Sequence, residues 1–569
     1  MAATLREETR ALFKVTSDEK PLEEIISICQ IYNLSPESLL YKWEAINFNA
    51  ASTHSEMPPF SMDSVATLKA HLQRELANES SKKAQRAMPP GSAAVVNRSR
   101  IPANMARVMN TGAKVGVIQV KEEQSGASSS KVVFRGPKMD ASSRKDRAYR
   151  YMYEKISERS EALDDRIDEF GELVRQHYKI SELGDPSSST DALGRITCDS
   201  DSSSQLTEGN IMIESSRMLS SGTRVQLRFD PSIKIRGGVQ GAGSVGLFPG
   251  TMVALRGKNG GGGWFLVNEI LVMPPLRAPS SDQPKLKVNP AVSDEPFFVY
   301  VACGPYTLDA DLSYKPWHAF LKILKTSKPT VVLLAGPFID VAHPKIKSGD
   351  VDTTTSNLFH KQFLEPLRNF LDSSPGSIVL ILPSVRDLIS RQAVFPQGEL
   401  DPEFRVDPRI HLLPNPALFS LNDIKFAISS VDVLFHLRKE EFLKRGEEVD
   451  SVPPSSTNDS GSDSMSNACR HLLQQRSFYP IFPAPLDVSH EVNLSVTHWD
   501  GLKLSDDNDA PDVLIVPSRL KQFSKIVCST TAVNPSFLTK GTYAVINISG
   551  DPEAKLKDRL HTEIAKIER

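Results

Sequence analysis

The chain has 569 residues, 40% of them hydrophobic and 24% charged, with a formal net charge of -2. That length is too great for a single core and predicts roughly two to four domains. The near-neutral balance excludes a broad basic face whose main task is to neutralise phosphates, while local basic patches remain compatible with it.

The opening residues MAATLREETR carry acids where a signal peptide needs an apolar core. No apolar run approaches the ~20 residues of a membrane span, so a soluble intracellular protein with no membrane partner is expected. A small helical bundle is predicted over 1–78. Leu22, Ile25, Ile26, Cys29 and Tyr32 share one helical face. Ser35 with Pro36 starts a second helix carrying Leu39, Leu40, Trp43 and Ile46, and Val65, Leu68, Leu72 and Leu76 follow Ser61 in a third.

Residues 79–145 read as a flexible basic linker. Between 80 and 120 lie seven cations (Lys82, Lys83, Arg86, Arg98, Arg100, Arg107 and Lys114) and no acid. Such a segment buries too little apolar surface to offset its ordering entropy. A coil of about 65 residues has a reach on the order of 45 Å. A helical segment is expected over 146–184, with Met152, Ile156, Leu163, Ile167, Phe170 and Val174 as its apolar stripe. The Ser-rich stretch 185–205 reads as a loop.

The period then changes to two. RVQLRF (224–229), TMVALRG (251–257) and WFLVNEILV (264–272), joined by Gly-rich turns, predict a small antiparallel barrel of the oligonucleotide/oligosaccharide-binding (OB) type over 206–290. Gly241, Gly243 and Gly246 spell G-x-G-x-x-G, but Pro249 and another strand follow where a nucleotide site needs a helix. The motif is therefore read as a mobile loop, and the Gly260 to Gly263 run as a hairpin turn.

From 291 to 569 apolar strands alternate with helices: FFVYVAC, TVVLLAG, SIVLILP, KFAISSVDVLF, DVLIVP and TYAVINI. Strands apolar on both faces imply a sheet covered by helices or by a second sheet. The acidic, Ser-rich insertion 447–465 is expected to be disordered. The five cysteines, Cys29, Cys198, Cys303, Cys469 and Cys528, are scattered without a C-x-x-C pair, which predicts reduced thiols and no zinc knuckle.

Three loops end these strands, where α/β sheets place their chemistry: ACGPYTLD, AGPFIDVAHP and LPSVRDL. Their order resembles the D-x-H, G-D-x-x-D and G-N-H-[DE] loops of calcineurin-like metallophosphoesterases. Nearly all the ligands are gone. Gly304 and Tyr306 hold the D-x-H positions, and Pro337 stands at the bridging aspartate, leaving Asp340. Ser384, Val385 and Arg386 replace G-N-H, followed by Asp387, while VPSRLKQ (516–522) holds no histidine. A two-metal site needs several converging carboxylates and imidazoles, so no catalytic residue, metal or cofactor is expected. Asp340 and Asp387 are read as caps of turns or helix starts, His343 as a turn residue before Pro344, and His436 as a packed histidine ending the strand VDVLF. No G-x-S-x-G elbow is present.

The segments YNLSPESLLYKWEA (32–45), YMYEKISERSEALDDRIDEF (151–170), LFPGTMVALRG (247–257), LLAGPFIDVAHPKI (333–346) and TTAVNPSFLTKGTYAVINI (530–548) carry a further likeness. Together with the domain order, they resemble the B, or second, subunits of eukaryotic replicative DNA polymerases, most closely the branch serving DNA polymerase α–primase. The resemblance implies a nuclear, non-catalytic scaffold. Its barrel and inactive phosphoesterase-like domain would hold the C-terminal, zinc-bearing domain of the catalytic subunit. Its N-terminal helices would dock replication initiation factors, with primase reached through the complex and DNA contacted weakly or indirectly. An active metal-dependent phosphoesterase and an OB-fold single-stranded nucleic-acid-binding protein are the alternative readings.

Overall fold

The computed structural model describes residues 132–567, apart from 139, 181–189, 200–204, 221, 262, 280–294, 455–462, 506 and 550–555, and isolated positions between 9 and 41. The chain divides into two compact units, Met1–Lys121 and Glu122–Arg569. In the first, Ile25, Ile26, Ile28, Cys29, Pro36 and Leu39 to Tyr41 are helical, and Ile25, Ile28, Cys29 and Leu39 are buried. The helix expected after Ser61 and the cationic stretch 80–120 lie outside the described residues.

In the second unit the chain enters along the last sheet it will form. Strand β1 (Phe134–Arg135) pairs antiparallel with Leu421 and Ser420, and the Phe134 ring lies 4.6 Å from that of His411. Asp140 caps the helix Ala141–Asp146, and the Arg144 guanidinium donates to the Leu400 carbonyl at 2.9 Å. Residues 132–138 and 140–145 are thus docked, which corrects the linker reading for its last part.

The helix Ile156–Tyr178 follows. Ile167, Phe170 and Val174 pack on Leu193, Met252, Ala254 and Leu271 of the barrel. Met152 and Ile156 are 97% and 91% exposed, so the first two positions of the predicted stripe do not belong to it.

Five strands close the barrel: β2 (Asp191–Cys198), β3 (Ile211–Glu214), β4 (Arg224–Arg236), β6 (Met252–Asn259) and β7 (Trp264–Leu271), with β5 (Ser244–Leu247) outside the ring. Pairing runs β2-β3-β4-β7-β6 and back to β2, antiparallel except β4 with β7. Alternate residues Val225, Leu227 and Phe229 of β4 fill the interior with Phe265 and Val267 of β7. β2 falls inside the stretch read as a loop, so the barrel begins at 191. The Gly260 turn is a hairpin, closed by the Gly260 amide donating to the Trp264 carbonyl at 2.9 Å.

Two six-stranded sheets form the rest. The first contains β8 (Phe297–Cys303), β9 (Val331–Ala335), β10 (Ile378–Leu382) and β11 (Ile410–Leu412), with β19 (Thr542–Ile548) and β20 (Leu560–Lys566) beyond β8. The second contains β12 (Ala417–Leu421), β13 (Ile424–Ile428), β16 (Val513–Ile515), β17 (Phe523–Val527) and β18 (Thr530–Asn534), with β1 at its edge. The run VVLLA shows why the strands are apolar throughout. Val331, Leu333 and Ala335 face the second sheet, whereas Val332 and Leu334 face helices Lys315–Ser327 and Glu365–Ser373. Helices Val433–Glu440 and Ser464–Gln474 cover the outer face of the second sheet. The predicted strand KFAISSVDVLF is therefore a strand followed by a helix, capped by the Asp432 carboxylate accepting from Phe435 N at 3.2 Å, and His436 is helical.

The barrel is fastened to this sandwich by main chain. β14 (Phe442–Arg445) pairs antiparallel with β5, and β15 (Glu447–Val449) pairs parallel with β4. The expected insertion thus starts as a sheet strand and ends in a helix capped by Asp463, with 455–462 outside the described residues. The Gly241 and Gly243 amides donate to the Glu448 carboxylate at 3.0 and 2.6 Å, so the G-x-G-x-x-G segment is anchored, not a free loop. The buried Gln475 amide reads both polar atoms of Met252, accepting from its N at 2.8 Å and donating to its O at 3.1 Å. Gly250, at φ +99°, lies where a Cβ would collide with the backbone of Pro480 to Phe482.

Gln475→Ala would leave the Met252 amide and carbonyl buried without partners, at a cost of about 1–3 kcal/mol. Urea unfolding of residues 122–569 should remain one transition with a lowered midpoint. An unchanged midpoint, or a wild-type barrel that unfolds separately, would contradict a single body.

Candidate functional site

The loops after β8, β9 and β10 lie side by side because the three strands are parallel neighbours in register, Val301 beside Leu333 and Leu333 beside Leu380. Here Gly304, Tyr306, Pro337, Asp340, Val385, Arg386 and Asp387 come together, and each is committed to packing or hydrogen bonding.

Gly304 N donates to the Ala335 carbonyl at 2.8 Å, and a Cβ at Gly304 would strike the Pro337 backbone. Tyr306 turns inward and is fully buried. Its hydroxyl lies 3.0 Å from the carbonyl oxygens of Ala302 and Ala335, and its ring stacks on Phe338 at 5.2 Å. The first loop therefore sends an aromatic ring into the helix-covered core.

The second and third loops are laced together by a bridge between Asp340 and Asp387. The Val341 amide donates to the Arg386 carbonyl at 3.0 Å, and the Leu388 amide to the Ile339 carbonyl at 3.1 Å. Asp340 caps its own turn by accepting from Ala342 N at 2.9 Å. It is also gripped by the Arg386 guanidinium through two parallel bonds, Nε at 3.0 Å and Nη2, the geometry in which arginine binds carboxylates most strongly. Asp387 accepts from the amides of Ile339 at 3.1 Å and Ser384 at 2.8 Å, and from Phe338 N. Val385 packs into the core beneath the second sheet.

His343 is buried; its Nε2 lies 3.0 Å from the Leu308 carbonyl, and its Nδ1 accepts from Lys345 N. Beyond the third loop lies a charge cluster that the sequence did not lead us to expect. In the segment VPSRLKQ, the Arg519 Nε donates to Asp432 at 3.1 Å and its Nη2 to Glu491 at 2.5 Å. The buried His436 ring contacts the Tyr479 hydroxyl at 3.0 Å and Glu491 at 3.5 Å. His436 and Arg519 hold the Glu491 carboxyl down to about 2. Asp432, Glu491 and Arg519 are far apart in sequence, and no local pattern announces them. Among the described residues no three His, Cys, Asp or Glu side chains converge as a metal-holding group.

Burial pushes the Asp387 carboxyl up to about 7, against the pull of its three amide donors and with the help of the Asp340 charge. An unfolded aspartate titrates near ~3.9, so between these values the folded state binds the extra proton. The contribution of Asp387 to stability is then complete below about 4 and lost as pH rises to about 7. Asp387→Asn should destabilise the chain at low pH by about 1–3 kcal/mol, because an NH2 group replaces an acceptor facing an amide. It should also flatten the decline of the urea midpoint across that pH window. A decline of unchanged slope would assign the titration to another group.

Residues 299–525 match a family model that describes the B subunits of DNA polymerases alpha and epsilon, and residues 160–273 match one for the OB domain of the DNA polymerase alpha B subunit. The DNA polymerase alpha B subunit of Schizosaccharomyces pombe is 33% identical over 418 residues, covering 70% of this chain and 68% of its own. That of Saccharomyces cerevisiae is 30% identical over 451 residues, covering 70% and 60%, and that of Bos taurus 29% over 388 residues, covering 67% and 57%. The chain thus spans less than two thirds of the budding yeast and bovine proteins. The match to the OB model stops just past the end of β7, and the larger model takes in all three packed loops, the strands that grip the barrel and the Arg519 cluster. On these grounds the chain belongs to the family of DNA polymerase alpha B subunits.

Proposed function

We propose that this chain is a non-catalytic regulatory and scaffold subunit of the DNA polymerase alpha–primase complex. Its body from the barrel onward binds the C-terminal, zinc-bearing domain of the catalytic subunit, and its N-terminal helices link the complex to replication initiation factors in the nucleus. Primase is reached through the complex. The sandwich of two sheets between helix layers is a calcineurin-like phosphoesterase fold that no longer hydrolyses anything.

One observation carries this reading. The loop positions that would supply ligands in a metallophosphoesterase are filled from within by the Tyr306 ring, the Arg386 fork on Asp340 and the amides on Asp387. A guanidinium at the centre of the cluster repels a dication, and the carboxylates that remain are saturated. The joined barrel and sandwich offer a pre-formed surface, and binding by pre-formed surfaces avoids the ordering cost of flexible ones.

The pure chain should show no turnover of a chromogenic phosphodiester with Mg, Mn or Zn. Turnover abolished by Asp340→Asn together with Asp387→Asn would refute the loss of chemistry. Deleting 1–121 should leave capture of the catalytic subunit's C-terminal domain nearly unchanged in pull-downs while removing the initiation factors. Loss of the polymerase subunit on that deletion would place the main interface elsewhere.

A further inference from the structure

We infer that the outward face of the barrel built by Arg228, Trp264 and Lys258 is a contact site for single-stranded nucleic acid. Arg228 of β4 is paired with Leu266 of β7, and Leu266 with Lys258 of β6, so the three form one row across neighbouring strands. In the adjacent row Gln226 is paired with Trp264. Leu227, Phe229, Phe265 and Val267 point into the barrel, which turns the alternating residues Arg228, Trp264 and Leu266 outward. Arg228 and Lys258 are exposed, and Trp264 and Leu266 are half-buried.

The charge of this row is uncompensated. Among the described residues neither Arg228 nor Lys258 has a carboxylate partner, whereas Arg224, Arg236 and Arg256 on the same sheet pair with Glu214, Glu269 and Asp191. Of the four barrel aromatics that could stack on a base, Phe229, Phe248 and Phe265 are buried, and Trp264 is left at the surface. Its indole rests against the turn at Gly260, where a Cβ would overlap it, and the Arg228 guanidinium lies 4.6 Å over its ring. Bases stack on indoles and on guanidinium planes alike, and such stacking tolerates any base. Beside the indole, Cβ positions at Gly261 and Gly263 have no atom within 4 Å, so a phosphodiester chain can approach the backbone closely. Three strands about 4.8 Å apart make a face about 10 Å wide, which suits one strand better than a duplex. Arg228 and Lys258, without a carboxylate partner among the described residues, supply phosphate contacts, Arg228 through the edge of its guanidinium. The outer plane of that guanidinium, held flat by the indole, supplies the base contact.

The test is fluorescence anisotropy of a labelled oligodeoxythymidylate with the full chain. Trp264→Ala should weaken binding about tenfold, as expected for one lost base stack, while Trp264→Phe should retain most of the affinity. Arg228→Ala with Lys258→Ala should reduce the slope of log K against log salt by about 1.4, two phosphate contacts at about 0.7 each. This surface pair does not depend on how the Trp264 variants fold. A duplex of equal length should be insensitive to Trp264→Ala. The inference is overturned if the wild-type chain does not bind the oligonucleotide. It is equally overturned if the variants bind as tightly as wild type, the contact then belonging to another segment such as the cationic stretch 80–120.

Discussion

The segment Phe442–Val449 governs the architecture, because it belongs to the sandwich in sequence and to the barrel in hydrogen bonding. It leaves the helix Val433–Glu440, lays β14 along β5 and β15 along β4, and returns to the sandwich through the helix Ser464–Gln474. Strand addition fixes position and orientation together, since each ladder bond constrains the next. Once it is made, Gln475 reaches Met252, Phe248 enters the core beneath the second sheet, and the Phe482 amide donates to the Pro249 carbonyl at 2.9 Å. A barrel held only by the stretch after β7 would be free to swing. With two added strands it becomes part of the sandwich.

The packed loops show what such rigidity does to the strand ends where α/β sheets place their chemistry. An enzyme keeps polar groups unsatisfied and pre-aimed, at a cost in stability, because they must meet a metal or a substrate. Here the same loop positions stabilise the fold. The Arg386–Asp340 fork is nearly buried on the carboxylate side, and removing either partner from such a pair costs about 3–5 kcal/mol. Tyr306 adds an aromatic cluster with Phe338, Trp317 and Phe363. These contacts tie three separate strand ends into one packed surface.

Much of this is legible in the residue pattern, and what escapes does so for physical reasons. Strands apolar on both faces, such as VVLLA and IVLIL, declare themselves because both sides meet a core. Tyr306, Pro337 and Arg386 can be placed in one cluster because strand-end loops of a parallel sheet must converge. β2 is hidden because DALGRITC carries Asp, Gly and Arg and sits between Ser-rich stretches. Its Gly194 is required where the Glu214 backbone crosses closely, so the residue that weakens the strand signal is the one the packing needs. The run VDVLF deceives because a short apolar run does not distinguish strand from helix. The decisive sign is Asp432, an N-cap whose carboxylate also receives the Arg519 backbone and side chain.

The acidic β15 shows the same limit from the other side. Glu447 and Glu448 look like the start of a solvated, charged insertion, and strands are poor in glutamate. At a sheet edge that objection falls away, because one side of each residue meets solvent or a specific partner. Glu448 finds its partner in the amides of Gly241 and Gly243. Consecutive backbone amides in glycine-rich turns form anion nests whatever the anion is. No helix stands behind G-x-G-x-x-G to hold a pyrophosphate, as the sequence indicates. The glycines nevertheless do what such glycines do, and the anion they hold is a carboxylate of the chain itself, on the strand that joins the barrel to the sandwich.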